Sequence, residues 1–151
     1  MKKKICLVTI VLLSCLVALG APLGQNSRYD VTGRWRGKFP PPDDSNLSDD
    51  ENPVAVEVFV KDDAGRISGT TVFYVIRTKD NKPQVVGKTE AELVDPQFDG
   101  TTLKFHVKSK GLQPGKETSV EMQMKLISAN EAELANLEDT SSPVFKMKKI
   151  P

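Results

Sequence analysis

Val54, Val56, Val58 and Val60 fill every second position of one segment, with Ala55, Glu57 and Phe59 between them. In an extended chain, successive side chains leave opposite faces of the backbone, so this spacing puts a branched apolar row on one side. β-branched side chains are stiff at χ1 and suit a pleated, half-buried surface. The same period of two recurs along the chain. Val31, Gly33, Trp35, Gly37 and Phe39 alternate with Thr32, Arg34, Arg36 and Lys38. Leu103, Phe105 and Val107 alternate with Lys104, His106 and Lys108, and Val120, Met122, Met124 and Leu126 with Glu121, Gln123 and Lys125. Residues 67–76, 85–94 and 131–137, and Phe145 with Met147, complete eight strand-like segments. None carries the 3.6-residue period of a helix.

One buried and one wet face is the antiparallel pattern. Turn signals separate the segments at Asp62-Asp63-Ala64-Gly65, Thr78 to Pro83, Asp95-Pro96 with Asp99-Gly100, Gly111 to Gly115, and Ser128-Ala129-Asn130. The expected fold is all-β, an eight-stranded antiparallel up-and-down barrel, because closure removes the exposed edges of consecutive strands. A two-sheet β-sandwich is the alternative. A four-residue loop at Asp62–Gly65 would set Val60 opposite Ile67 and Val54 opposite Phe73, keeping one face apolar throughout.

The first residues carry an address rather than a fold. Met1 and three lysines precede an apolar run, Ile5 to Leu13, too short to span a bilayer, and Ala18-Leu19-Gly20 offers small residues for cleavage. Residues 1–20 are expected to be a cleaved signal peptide, 21–28 a disordered lead-in, and 29–151 one domain with a Pro-rich acidic loop at 40–53. The implied location is secreted or periplasmic. Leu12-Leu13-Ser14-Cys15 loosely matches a lipoprotein signal, so the alternative is a lipid anchor on Cys15. After cleavage at Gly20 neither Cys6 nor Cys15 remains, and the core must suffice without disulfides. Removing Lys2, Lys3 and Lys4 from 21 basic residues leaves 18 against 20 acidic ones, a net charge of −2. That balance argues against nucleic acid or an anionic membrane surface as a partner, and no transmembrane span is expected in the mature chain.

Gly33-Arg34-Trp35, with Gly37 two residues on, resembles the Gly-x-Trp signature that opens lipocalin-like (calycin) barrels. The resemblance implies that Trp35 plugs one end of a barrel and that Gly33 and Gly37 let the chain bend beside it. The chain departs from the pattern in having no Thr-Asp-Tyr element at the later turns. For the basic residue that such barrels pack on the tryptophan it offers Lys149, in phase with Phe145 and Met147, as a candidate substitute through a cation–π contact. Residues 63–70 are similar to the second hairpin of avidin-like barrels. Those hold biotin between several tryptophans, whereas this chain has only Trp35. Fatty-acid-binding barrels insert a helical lid after the first strand, where this chain has its Pro-rich acidic loop.

No catalytic motif is present. His106 is the only histidine and has no histidine partner for a metal. Asp43, Asp44, Asp49, Asp50 and Glu51 lack the spacing of an EF-hand. Glu90 and Glu92 share a strand face, as ordinary surface carboxylates do, and Asn46-Leu47-Ser48 is a sequon relevant only in a glycosylating host. No metal or other cofactor is expected. The reading is a non-catalytic exported barrel that binds a small apolar ligand or a protein partner, through ligand-binding residues that the sequence does not designate. The alternatives are a filled structural module of the cell envelope and a hydrolase with carboxylate chemistry.

The third strand breaks the alternation. Val72, Tyr74 and Ile76 stand where other strands place lysine and glutamate. With Phe59, and with Ala55 opposite Val72, they are expected to form an outward apolar patch, a homodimer seam or docking site anchored by Tyr74. The alternative is that the Pro-rich loop covers them.

Overall fold

The computed structural model describes residues 29–39, 52–79, 82–110 and 117–151. The expected signal peptide, Cys15, the lead-in and residues 40–51 of the acidic loop lie outside the described residues. Eight strands follow in order: β1 (Gly33–Lys38), β2 (Val54–Asp63), β3 (Arg66–Lys79), β4 (Lys82–Phe98), β5 (Thr102–Lys110), β6 (Glu117–Leu126), β7 (Glu131–Asn136) and β8 (Phe145–Ile150). Each pairs antiparallel with the next. The ladder from Arg34↔Ile150 to Gly37↔Met147 joins β1 to β8, so the sheet is a closed barrel and not a sandwich.

The β2–β3 register differs from the expected one. Asp63 pairs with Arg66, and only Ala64 and Gly65 form the loop. Their φ angles of 52° and 90° are both left-handed, as a type I′ hairpin turn requires. The Asp62 carboxylate accepts the Gly65 N–H at 2.6 Å. Val60 therefore faces Gly69, and Phe73 faces Val56. A slip of two residues preserves the inward set, which is why the hydrophobic pattern alone did not distinguish the registers. It does change the outer neighbours, placing Glu57 instead of Ala55 opposite Val72.

Asp95-Pro96 is not a turn. β4 runs through it, with Asp95 at φ 49° and the register shifting between Val94 and Gln97. Proline is tolerated there because a bulge leaves its missing N–H without a ladder bond to make. The chain reverses after Phe98 instead. The Asp99 carboxylate accepts the N–H groups of Thr101 and Thr102, both at 2.8 Å. These bonds, first from Thr101, hold its pKa below the usual carboxylate range.

Inside, Trp35, Val56, Val58, Leu103, Phe105, Met124, Leu134 and Met147 pack into one core with almost no exposure. The two barrel ends differ. The residue 29–32 segment and the β2–β3, β4–β5 and β6–β7 turns lie at one end, and Phe39 and the β7–β8 connection at the other.

Candidate functional site

One end is closed by Trp35. Its side chain is wholly buried, and its indole N–H donates to the Val31 carbonyl at 2.8 Å. The segment carrying Val31 crosses the barrel end. The Tyr29 N–H donates to the Gly100 carbonyl at 3.0 Å, and the Tyr29 hydroxyl to the Ile127 carbonyl at 3.4 Å. Lys149 brings its ammonium to 5.6 Å from the centre of the Trp35 ring, a cation–π distance. The same ammonium donates to the Asp30 carbonyl at 3.0 Å and carboxylate at 3.3 Å. Hydrogen bonds from the Thr32 hydroxyl and N–H, then Lys149, keep the Asp30 pKa below its usual value despite some desolvation.

The two glycines of the motif have different roles. Gly33 sits at φ 112°, where a side chain is strained, and a β-carbon there would stand 3.0 Å from the Lys149 Cε. Gly37 faces inward, and its missing side chain is where Met147 packs. A β-carbon would lie 2.5 Å from the Met147 sulfur and 2.9 Å from Val56 Cγ1.

The opposite end holds a cavity of about 460 Å³. Phe39, Phe73, Ala91, Val107, Val120, Met122, Pro143 and Phe145 supply most of its wall, and Thr89, Lys108, Asn136 and Ser142 its polar groups. Phe39 and Phe145 meet edge to face, with ring centres 6.3 Å apart. Asn136 is held by the wall behind it, because its carbonyl oxygen accepts the N–H groups of Glu138 and Asp139 at 2.9 and 3.1 Å. The β4–β5 ladder stops at Leu93↔Val107 on this side, and beyond it Thr89 and Ala91 of β4 face the cavity across from Lys108 of β5. Exposed large apolar residues cluster at the same end. Phe39, Val75, Val85, Val86, Leu137 and Val144 are exposed there, against Ile127 at the closed end.

The outer face of β3 is not an open apolar patch. Val72 is buried, and Phe59, Tyr74 and Ile76 are each half-buried. The shifted register brings in Glu57, which is 2 % exposed although it points away from the barrel interior. Arg34 donates to both Glu57 oxygens at 2.8 and 3.0 Å, Arg36 to one at 2.8 Å, and the Tyr74 hydroxyl to the other at 3.1 Å. Arg34 also lies 5.2 Å from the centre of the Phe59 ring, while its Nε is buried without a partner. Burial works against the Glu57 carboxylate, but the donors Arg34, Arg36 and Tyr74 outweigh it and lower its pKa. Burial, and then the hydrogen bond to Glu57, pushes the Tyr74 phenol up. Tyr74 is thus a member of a polar network before it is a docking anchor. The sequence did carry a signal for this network: Glu57 is the one charged residue from Val54 to Val60.

His106 lies on β5 between Val94 and Glu121, half-buried. Glu90 and Glu92 are exposed on β4, opposite Val72 and Thr70. Among the described residues, no three His, Cys, Asp or Glu side chains gather as a metal site. The acidic residues 43–51 and the sequon lie outside the described residues. Compared with protein-family models, curated proteins and solved structures, the chain matches none significantly.

Proposed function

We propose that the protein is an exported, non-catalytic barrel of lipocalin-like kind that carries a small apolar molecule in the cavity opposite Trp35. The cavity carries this reading. Its volume of about 460 Å³ falls inside the range of about 300–1,000 Å³ usual for small-molecule sites, and its wall is mainly aromatic and aliphatic. The stacking of Lys149 on Trp35 at the closed end supports the lipocalin-like kinship. The exposed apolar side chains around the other end offer a surface over which such a molecule can enter. The lysines and apolar run at the N-terminus support export.

The test is native mass spectrometry of protein purified from its own host. The expected spectrum shows one retained small molecule per chain, absent when Val120→Trp fills the cavity. A bare chain that also takes up no apolar molecule offered to it contradicts the reading.

A further inference from the structure

The outer faces of β1 and β8 carry a charge arrangement that the cavity does not explain. On these faces β1 contributes Arg34, Arg36 and Lys38 and β8 contributes Lys146 and Lys148, while Lys149 has the inward phase, and neither strand has a carboxylate. Lys149 turns to Asp30 at the closed end. Arg36, however, stands directly opposite Lys148. Directly opposed like charges destabilise a sheet, so selection for stability alone disfavours the pair. Glu57 neutralises one of its two arginines and fixes both. Arg34 is bound through Nη2 alone and Arg36 through Nε alone, which leaves guanidinium N–H groups of each unengaged by Glu57. Glu131 is paired in register with Lys148 on the far side, yet among the described residues no carboxylate comes within ion-pair distance of that lysine.

We propose that Arg34, Arg36 and Lys148 form an oxyanion-binding corner on the outer wall, with the buried Glu57 holding the two guanidinium groups in place for it. Arginine presents a planar fork of donors matched to phosphate and carboxylate oxygens, and a fork already fixed loses less freedom on binding. The chemistry is a phosphate group, either as the free ion or as the headgroup of an anionic lipid.

The experiment titrates inorganic phosphate into the ¹⁵N-labelled protein at constant ionic strength, with chloride as the control, and follows the Arg34 and Arg36 side-chain N–H resonances. Flotation with phosphatidylglycerol or phosphatidylcholine vesicles forms the second arm. Saturable shifts with phosphate beyond those with chloride are expected, and Lys148→Gln should weaken them by roughly tenfold. Binding to phosphatidylglycerol vesicles alone, lost in Lys148→Gln, assigns the same corner to a lipid headgroup. Shifts equal in phosphate and chloride without vesicle binding, or binding unchanged by both Lys148→Gln and Arg36→Gln, overturn the proposal.

Discussion

Trp35 and Glu57 occupy the same pair of strands and illustrate two kinds of buried residue. Trp35 fills the closed end and has its single donor satisfied by Val31. Its truncation to alanine should cost about 3–5 kcal/mol, a large part of the roughly 5–15 kcal/mol expected for a whole domain. The check is the denaturant midpoint, which an exposed tryptophan would leave unchanged. Trp35 was legible in the sequence because its motif and its phase with Val31 both point inward. Glu57 was marked only as the one charged residue among the valines of β2, and its burial was not legible, since that depends on arginines from β1 and a tyrosine from β3 that the observed register brings together. Folding lowers its pKa, so its contribution is complete above the ordinary value of 4.5 and is lost as pH falls through the lower folded value. Glu57→Gln should therefore flatten the acid side of the stability profile and cost about 1–3 kcal/mol near neutrality. Thermal melts between acid and neutral pH decide this. Parallel profiles for the two proteins would mean that Glu57 does not supply the acid dependence.

At the scale of elements, the period of two located all eight strands, and even Glu131–Asn136, short enough for a helical turn, is a strand. The connections were less legible. Asp62-Asp63-Ala64-Gly65 reads equally as a four-residue or a two-residue loop, and face parity is identical in both. Asp95-Pro96 has turn composition, but pairing with β5 before and after it, at Val94↔His106 and Gln97↔Lys104, carries β4 through it as a bulge. The hairpin turn gives a direct check. Ala64 adopts φ 52°, a conformation that asparagine accepts more readily than alanine. Ala64→Asn should raise stability by about 0.5–1 kcal/mol, visible as a higher melting temperature. A lower one would indicate that the loop is not the two-residue turn.

For the whole molecule, the sequence favoured barrel closure because it removes the edges of eight consecutive amphipathic strands, and the β1–β8 ladder decides it against the sandwich. The cavity was not legible in the sequence. Strand periodicity shows which side chains point inward, but not whether they meet. Trp35, Leu103, Met124 and Leu134 fill the interior towards one end, whereas Thr89 and Ala91 are too small to do so where β4 parts from β5. The central claim is that this space accepts an apolar guest. The direct measurement is titration with 1-aminoanthracene, an uncharged probe that fluoresces in apolar surroundings, using the wild type, Ala91→Trp and the distant surface variant Ile127→Ser. A saturable one-to-one signal in the wild type and Ile127→Ser, abolished in Ala91→Trp, is the predicted result. No saturable signal in the wild type, or one that survives in Ala91→Trp, would contradict it.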